Sequence, residues 1–423
     1  MSKFPRSKVI TEEKLIDLSE KLNSPFWAYD ADLIKSKVDQ LRKFDVIRYA
    51  QKACSNVNIL KYMKSLGTKV DSVSLGEIER SLFAGYQPGT HDNEIVFTAD
   101  IIDDETCDRA LDLKIPINAG SIEMLRELGR RKAYGHPVWI RINPGFGYGH
   151  SKKTNTGGEN SKHGIWFEDL VEALSVVKDF RLNLVGFHMH LGSGSFSNKL
   201  ENACNAMVQC VIECNHDIKA ISAGGGIPIA YLDNEPDVDV ANVDGSGTNY
   251  FDLWDAARKK IENHFGHSIT LEVEPGRFLV AESGILVAKV HAVKTMGSKR
   301  YALINAGFND LLRPAIYGSY HHITILGDVT KRELEEVVVA GHLCESGDVF
   351  TQNKDGYVET RLLPKVYVGD YIIFHDVGAY GSSMSSNYNS RLLLPEVLFV
   401  DGDVKLIRRR QKIDDLIDLE NIN

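Results

Sequence analysis

The stretch KVDSVSLGEIERSLFA, residues 69–84, decides the fold. A short strand-like run, Lys69–Ser74, which contains Val70 and Val73, is followed directly by Leu75–Ala84, where apolar side chains recur with helical spacing. A strand followed at once by a helix is the repeating unit of parallel α/β sheets. The number of such units along the chain then decides which parallel fold forms.

Seven more short apolar runs end in small or polar residues, and amphipathic stretches lie between several of them. The predicted strands are Val46–Ala53, Lys69–Ser74, Glu94–Ala99, Pro116–Ser121, Val138–Pro144, Leu184–Leu191, Ala220–Gly226 and Thr270–Pro275. Eight strands over about 230 residues predict a (β/α)₈ TIM barrel, which is usually ~250 residues long. A doubly wound sheet is the rival, but it needs fewer strands and usually a nucleotide fingerprint, which we do not find.

The pattern changes after about Gly284, where strand-like runs are joined by turn residues and helical periodicity is scarce. These runs are Ile285–Met296, Tyr301–Ala306, Leu334–Ala340, Lys365–Val368, Tyr371–His375, Leu394–Val400 and Val404–Arg409. They predict a separate antiparallel β domain, a sandwich or a barrel. We therefore expect a barrel domain over residues 26–283 and a β domain formed by residues 1–25 and 284–423.

Composition excludes several classes of protein. The 423 residues are 43% hydrophobic and 25% charged, which is typical of globular chains and excludes disordered, collagen-like and coiled-coil proteins. The net charge of −9 argues against a nucleic-acid surface. We find no signal peptide and no apolar run that could span a membrane. Six cysteines without a CxxC pair indicate a reducing compartment, and we expect a cytoplasmic protein.

Charged and polar residues cluster at the carboxyl ends of the predicted strands, where the active sites of TIM barrels lie. They are Lys52, Asp71, Thr98, Arg141, His188, His190, Gly224–Gly226, Glu274 and Arg277. Lys52 emerges from a buried strand, so it is either a Schiff-base lysine or a lysine that reaches solvent. The two readings are equally good for this residue alone.

Two glycine-rich segments, Gly192-Ser193-Gly194 and Gly224-Gly225-Gly226, follow the sixth and seventh strands. Backbone amides in such loops can cradle a phosphate, although a lone triple glycine is more often a tight turn. Glu274-Pro275-Gly276-Arg277 follows the eighth strand, where a buried glutamate could keep a pyridine nitrogen protonated. A structural Glu–Arg pair is the alternative.

His188 and His190 are two apart, so both face the same side of a strand. Zinc would need further ligands that do not stand out, and we predict no metal site. One imidazole that stacks on a planar cofactor explains the pattern without a metal, whereas lone strand histidines are usually hydrogen-bonded core.

The β domain carries Cys344-Glu345-Ser346-Gly347-Asp348, in which a cysteine stands beside carboxylates. Nearby negative charge suits a proton donor, and a buried inert cysteine is the alternative. Arg313-Pro-Ala-Ile-Tyr317 and Gly378-Ala-Tyr380-Gly supply polar anchors that could hold a carboxylate or a phosphate.

Together these motifs closely resemble the diaminopimelate decarboxylase family, pyridoxal-phosphate enzymes of the alanine-racemase-like fold that are related to ornithine decarboxylase. The resemblance extends from Pro25 to Arg410. Two segments depart from the pattern of many family members, Ala53-Cys54-Ser55 and His163 in Ser161-Lys162-His163-Gly164. They lie outside the motif positions above, so they concern loop packing more than the reaction.

The resemblance implies a role for each matching position. Lys52 would bond to pyridoxal 5′-phosphate, Glu274 would hold its ring nitrogen protonated, and His190 would stack on the ring. The remaining cofactor-binding residues would be Asp71, Ser193, Gly224, Gly225, Gly226, Pro275, Gly276, Arg277 and Tyr380. Arg277, Arg313, Tyr317 and Tyr380 would bind the substrate, Glu345 would take its distal ammonium, and Cys344 would be the proton donor.

The implied reaction is the decarboxylation of meso-2,6-diaminopimelate to L-lysine, the last step of lysine biosynthesis. In the family the Cys344–Glu345 loop reaches the other subunit, so the resemblance implies a homodimer with a shared active site. A carboxynorspermidine decarboxylase of polyamine synthesis is the alternative enzyme. A cofactor-binding protein without turnover and a barrel without a cofactor remain as non-enzymatic alternatives.

Overall fold

The structure, a computed structural model, describes residues 5–89, 93–148, 155–192, 198–232, 234–235, 240 and 249–422. It divides into two compact units. The barrel unit comprises residues 36–229 and 237–278. The β unit comprises residues 1–35, 230–236 and 279–423.

Strands and helices alternate in the first part of the chain, and strands predominate after Gly284, as the sequence pattern predicts. The strands are β1 (Phe26–Asp30), β2 (Val46–Ala50), β3 (Lys69–Ser72), β4 (Ile95–Ala99), β5 (Ile117–Ala119), β6 (Pro137–Asn143), β7 (Ile165–Trp166), β8 (Asn183–Met189), β9 (Ala220–Ser222), β10 (Thr270–Val273), β11 (Gly284–Met296), β12 (Lys299–Ile304), β13 (Ile323–Ile325), β14 (Leu334–Ala340), β15 (Arg361–Pro364), β16 (Tyr371–Phe374), β17 (Glu396–Val400) and β18 (Asp403–Arg408). The helices are α1 (Glu12–Leu22), α2 (Ala31–Asp39), α3 (Val57–Ser65), α4 (Leu75–Phe83), α5 (Asp104–Asp112), α6 (Ile122–Arg130), α7 (Leu170–Asp179), α8 (Asn198–Cys214), α9 (Tyr250–Phe265), α10 (Arg277–Val280), α11 (Arg313–Tyr317) and α12 (Ile413–Ile417).

Eight parallel strands of the barrel unit close into a barrel. The order is β2-β3-β4-β5-β6-β8-β9-β10, and β10 pairs with β2 through Glu272 opposite Val46 and Val273 opposite Ile47. Each of the eight predicted strands is present, so the predicted TIM barrel is confirmed. The additional two-residue strand β7 pairs with the end of β6.

Several helices of the barrel unit begin at a polar side chain soon after a strand ends. Ser74 Oγ accepts a hydrogen bond from the amide of Glu77, and Asp103 accepts one from the amide of Thr106. Ser121 caps α6 in the same way. Such side chains satisfy amides that the first helical turn leaves unpaired, so they fix where each helix begins. Short loops at this end of the barrel are the consequence.

The β unit contains a nine-stranded sheet of mixed direction. Its main order is β15-β14-β12-β11-β1-β17-β18, and β16 pairs with β11 and β13. Most pairings are antiparallel, as expected, but β1 with β17 and β12 with β14 are parallel. Helix α1 places Leu15 and Leu18 in the same core cluster as Phe26, Val287 and their neighbours. Helix α1 therefore packs in this unit.

The boundaries of the two units differ from the expected ones. Residues 26–30 were expected in the barrel domain, but they form β1, which lies between β11 and β17 in the mixed sheet, and the barrel unit begins at residue 36. The physical reason is that β1 is buried over its whole length and hydrogen-bonded on both sides. The strand expected at Lys365–Val368 lies instead at Arg361–Pro364, where it pairs with β14.

Candidate active site

The carboxyl ends of the barrel strands bring charged side chains together. Lys52 lies in a 3₁₀ turn, Gln51–Ala53, that follows β2, and its side chain is exposed. Asp71 lies in β3 and Glu274 follows β10, and both are buried. The charges of Glu274 and Lys52 both act on the Asp71 carboxyl. These three groups therefore share one electrostatic environment.

Glu274 is held as a carboxylate by two neighbours. Its Oε2 lies 2.8 Å from His188 Nε2, and its Oε1 accepts a 2.8 Å hydrogen bond from Ser222 Oγ. Burial raises the pKa of Glu274, but His188 and Ser222 lower it more, so the pKa lies below its ordinary value. A buried carboxylate that stays ionised suits the binding of a cationic partner.

Asp71 differs from Glu274, because its pKa is raised and not lowered. Burial and the charge of Glu274 raise the pKa of Asp71 to about 8, although Lys52 and a hydrogen bond with Thr98 lower it. Among the described residues, Asp71 Oδ1 is buried without a hydrogen-bond partner. Such a group is costly unless something else pairs with it, so Asp71 points to a ligand at this rim.

The two histidines on or after β8 have different contacts. His188 contacts Glu274, whereas His190 Nδ1 accepts a 2.9 Å hydrogen bond from the amide of Gly225. Burial, together with the charges of Arg141 and Lys52, lowers the pKa of His190 well below its ordinary value. Because Nδ1 accepts, the neutral ring carries its proton on Nε2. His190 is thus a neutral, fixed imidazole.

Backbone crowding explains the triple glycine. A Cβ atom on Gly225 would lie 2.2 Å from Glu274 O, and one on Gly226 would lie 2.2 Å from Gly192 O. Gly224 adopts a φ of +61°. Only glycine fits these positions, so the loop runs close to both neighbouring strand ends. The Gly225 amide donates to His190 Nδ1 and so holds the imidazole ring in place. Ser193 lies outside the described residues.

The turn after β10 lies beside the strand that leads to Lys52. Pro275 O accepts a 3.1 Å hydrogen bond from the amide of Ala50. A Cβ atom on Gly276 would lie 3.1 Å from Ala50 O. Arg277 begins α10 and is half-buried. The predicted Glu274–Arg277 segment therefore packs against the end of β2.

A buried ion pair inside the barrel escaped the sequence analysis. Arg48 donates two hydrogen bonds to Glu272, of 2.9 and 3.0 Å. Burial lowers the pKa of Arg48, but Glu272, Glu274 and Asp71 raise it more. Charged residues in the middle of otherwise apolar strands were the available signal. This permanent cation also lowers the pKa of Glu274.

A second pair, also missed, joins the loop after β4 to the segment before β7. His163 Nδ1 lies 2.5 Å from Asp100 Oδ2, and the Gly164 amide donates to Asp100 Oδ1 at 3.0 Å. Burial raises the pKa of Asp100, but these contacts and the Arg141 charge lower it by more, so the pKa lies below its ordinary value. The departure at His163 therefore has a structural partner, in keeping with a role in loop packing.

The β unit orients Arg313 with two partners. Its Nη1 donates to Tyr231 Oη and to His321 Nε2, each at 3.1 Å, and its side chain is buried. The guanidinium carbon also lies 5.3 Å from the centre of the Tyr231 ring. Tyr317, at the end of α11, is half-buried. Arg313 is therefore a fixed cation.

The Cys344 loop is organised by Asp348. The amides of Leu343 and Phe308 each donate to its carboxylate at 2.7 Å. Cys344 is exposed, which disfavours the reading of an inert core cysteine. Glu345 is exposed as well, and Tyr388 Oη lies 3.5 Å from its Oε2. The structure thus presents a thiol and a carboxylate side by side on a turn.

Tyr380 adopts a φ of +58°, a conformation that is rare for a residue with a bulky side chain. The backbone on both sides of it is closely packed, because a Cβ atom on Gly378 would lie 1.9 Å from Val280 O, and one on Gly381 would lie 2.4 Å from Val377 O. The half-buried Tyr380 therefore lies in a crowded turn. Such strain is often found at functional positions.

Comparison with known proteins assigns the family. A family model described as the pyridoxal-binding domain of pyridoxal-dependent decarboxylases matches residues 32–281. The diaminopimelate decarboxylase of Escherichia coli (strain K12) is 57% identical over 424 residues, covering 99% of both chains. The chain belongs to the diaminopimelate decarboxylase family.

Other members of the diaminopimelate decarboxylase family agree with this assignment. The Streptomyces coelicolor enzyme is 54% identical and covers 93% of this chain and 88% of its own length. A crystal structure of diaminopimelate decarboxylase superposes with a TM-score of 0.95 at 55% identity and full coverage of both chains. The Helicobacter pylori enzyme complexed with L-lysine gives a TM-score of 0.82 at 32% identity, covering 96% of this chain and 99% of that one.

This member of the diaminopimelate decarboxylase family is a pyridoxal-phosphate-dependent lyase, and the rim residues fit that cofactor. An ionised Glu274 suits a protonated ring nitrogen, and the neutral His190 suits a ring face. The incompletely bonded Asp71 carboxyl offers a further polar contact. Among the described residues no cluster of three potential metal ligands occurs, and no helix is long and apolar enough to cross a membrane.

Proposed function

We propose that this enzyme converts meso-2,6-diaminopimelate to L-lysine and CO₂, the last step of lysine biosynthesis. The ionised Glu274 at the end of β10 carries the proposal, because it supplies the negative charge that this chemistry needs. Full-length relatives named diaminopimelate decarboxylase support the substrate.

When bound, pyridoxal phosphate provides an electron sink for the electron pair left on carbon as CO₂ departs. Glu274 would stabilise the proton on the ring nitrogen, since His188 and Ser222 keep it ionised. Its neutral neighbour His190 would stack on the ring without adding a competing positive charge. The Lys52 amine would anchor the cofactor and later exchange with the substrate amine.

We assign the phosphate to the glycine loop and its surroundings. Ser193, the loop Gly224–Gly226 and Arg277 would bind it, with Tyr380 closing over it. Because the Gly225 amide already bonds to His190, the loop's contribution to the anion would come from its other amides. Asp71, whose pKa is raised by burial and by Glu274, would contact the cofactor as a proton-bearing acid.

Substrate recognition would depend on charges at the far end of diaminopimelate. Arg277, Arg313 and Tyr317 would bind the distal carboxylate, with Tyr380 beside them, and Glu345 would bind the distal ammonium. Cys344 would deliver the proton that replaces CO₂, because it is an exposed thiol on a turn fixed by Asp348.

We further propose a cytoplasmic homodimer in which the Cys344–Glu345 loop completes the partner's site. All six cysteines are free thiols, which supports a reducing compartment. The exposed position of Cys344 and Glu345 supports a role for this loop outside its own unit.

The alternative substrate, carboxynorspermidine, is not favoured, because the full-length relatives are diaminopimelate decarboxylases. Release of ¹⁴CO₂ from carboxyl-labelled diaminopimelate, with chromatographic detection of lysine, tests the proposal. We expect equal amounts of both products and much slower turnover of carboxynorspermidine. The reverse preference would overturn it. Lys52→Ala should abolish release, whereas Lys61→Ala, an exposed lysine on α3, should not.

A further inference from the structure

A large cavity lies within the β unit, and no role in the proposed reaction involves it. Its volume is about 540 Å³, within the range of small-molecule sites. It is bordered by the segment 5–15, residues 282–285, the segment 320–330 and residues 361–376. All of these belong to the β unit. The cavity therefore lies within a single unit.

One side of the cavity is apolar. Ile10, Leu15, Ile285, Leu326 and Ile373 line it and are also members of a buried hydrophobic cluster. This side is part of the core of the unit and does not depend on loose surface side chains. An aliphatic group that fills it would be removed from water, at about 25 cal/mol per Å² of buried apolar area.

The other side is a continuous polar wall. The guanidinium carbon of Arg361 lies 4.9 Å from the centre of the Tyr320 ring, and Tyr320 Oη lies 3.4 Å from His322 Nδ1. The rings of His322 and His375 are 5.8 Å apart, and Thr324 Oγ1 lies 2.8 Å from His375 Nε2. A ligand with one polar end and one apolar end matches this division.

Arg361 indicates the charge of the polar end. Its Nη1 donates to Thr360 O at 3.3 Å and lies 3.6 Å from Glu359, a loose ion pair. Among the described residues no acceptor contacts its buried Nε. Arg6, on the same wall, is instead paired with Asp376 at 2.8 Å and with Glu282 at 3.0 Å. Arg361 is thus a cation whose ion pair is longer than those of Arg6, and a ligand carboxylate could pair with it more closely.

The polar wall also contacts the arginine assigned to the substrate. Arg313 can only donate, so His321 Nε2 must accept its 3.1 Å hydrogen bond. The proton of His321 then lies on Nδ1, which donates to His375 O at 3.1 Å. His375 lines the cavity. Two hydrogen bonds therefore connect the cavity wall to Arg313.

We propose that this cavity binds a small carboxylate with an aliphatic tail, and that its occupancy changes the affinity for substrate through His375, His321 and Arg313. The carboxylate would pair with Arg361, and the tail would lie on the apolar side. The effect on substrate rests on the proposed function of Arg313, whereas binding itself does not. By linkage, substrate would change the affinity for the carboxylate by the same factor.

Calorimetric titration of the holoenzyme with hexanoate tests the site, with hexylammonium as the matched cation. We expect one hexanoate per chain and no binding of hexylammonium. Arg361→Gln should weaken binding at least tenfold, and Val329→Phe, which fills the cavity from a half-buried position, should abolish it. Lys299→Gln, on the exposed β11–β12 hairpin, should bind as the unmodified enzyme does. Absence of binding, or binding unchanged in both cavity variants, would overturn the site.

The coupling is tested by measuring KM for diaminopimelate at saturating hexanoate. We expect KM to change at least twofold in the unmodified enzyme and not in Val329→Phe. An unchanged KM with hexanoate bound would refute the coupling, as would an equal change in Val329→Phe. Failure of the proposed function can be told apart from failure of the cavity site. The first would appear as absent turnover of diaminopimelate, and the second as absent binding of hexanoate in the titration.

Discussion

Glu274 has a hydrogen-bond partner on each carboxylate oxygen, His188 on one and Ser222 on the other. Burial alone would favour the protonated acid, but these partners reverse the balance and lower the pKa. The nearby Asp71 has its pKa raised to about 8. Two buried acids at one rim are therefore driven to opposite protonation states, which allows one to remain a carboxylate while the other carries a proton.

Replacement of Glu274 by glutamine tests this charge. The amide keeps the size of the side chain but cannot neutralise a protonated ring nitrogen, so we expect kcat to fall by about two orders of magnitude or more. Ser222→Ala removes only one hydrogen bond to Glu274 and should cost about tenfold or less. Steady-state assays of CO₂ release at saturating substrate measure both. Equal activity of Glu274→Gln and the unmodified enzyme would contradict the assigned role.

Replacement of Arg313 by alanine tests the distal pocket. A buried charge pair that loses one member costs about 3–5 kcal/mol, so KM for diaminopimelate should rise by about two orders of magnitude or more. Lys331→Ala, an exposed cation of the same unit, is the control and should leave KM unchanged. The measurement is the KM of Arg313→Ala divided by that of Lys331→Ala. An unchanged KM in Arg313→Ala would exclude this residue from substrate binding.

Single residues were predictable where the strand pattern located them. Lys52, Asp71 and Glu274 lie within predicted strands, and the structure places Lys52 and Glu274 just after β2 and β10 and Asp71 next to the last residue of β3. Their partners were not predictable, because His188 and Glu274 are separated by 86 positions and Arg48 and Glu272 by 224. No local pattern specifies which charges meet inside a closed barrel.

At the scale of elements, β16 and the residues after it connect the cavity wall to the Tyr380 turn. His375 follows β16 and is buried, and burial lowers its pKa to about 3. Five residues later the chain reaches Tyr380 with its positive φ. This strand therefore links a buried titratable group to a turn that we assign to the active site.

The lowered pKa of His375 predicts acid sensitivity. Unfolded histidine has its ordinary pKa of 6.5, so between pH 6.5 and about 3 the unfolded chain binds a proton that the folded chain does not. The stability present above pH 6.5 is therefore lost as pH falls, by about 2 kcal/mol at pH 5. The fall in Tm from pH 7 to pH 5 should be smaller in His375→Asn, whereas the exposed-site variant His291→Asn should match the unmodified enzyme. Equal falls in all three would contradict this.

Elements were predictable in proportion to their local pattern. The barrel strands are short apolar runs bounded by polar residues, and each predicted one is present. The β unit was harder, since the three-residue strand β13 carries too little pattern and β15 ends at Pro364, which has no amide hydrogen to donate. Strand β1 could not be assigned from sequence, because its neighbours β11 and β17 lie more than 250 positions away.

At the scale of the whole molecule, the residues that we propose for the cofactor belong mainly to the barrel unit, whereas Arg313, Cys344 and Glu345 belong to the β unit. The number of domains was predictable from the change in strand pattern near Gly284. Closure of the barrel through β10 and β2 was also expected, because eight strand–helix units over about 230 residues fit a (β/α)₈ barrel. The parallel pairings in the β unit were not, because they join distant segments.

A shared active site predicts complementation between inactive variants. Lys52→Ala and Cys344→Ala should each have little activity alone. Each mixed dimer has one intact site of two, so the purified mixed dimers should recover about half of normal activity. Coexpression with two different affinity tags, tandem purification and CO₂ assays measure this. No recovery in purified mixed dimers would mean that each site is built from one chain.

The central claim is that Lys52 carries the cofactor at the carboxyl end of β2. Borohydride reduction of the purified holoenzyme, followed by proteolysis and mass spectrometry, tests it most directly. The account predicts one pyridoxyl-phosphate adduct per chain, on the peptide containing Lys52, and no adduct in Lys52→Ala. An adduct on another lysine, or none on a yellow and active enzyme, would contradict it.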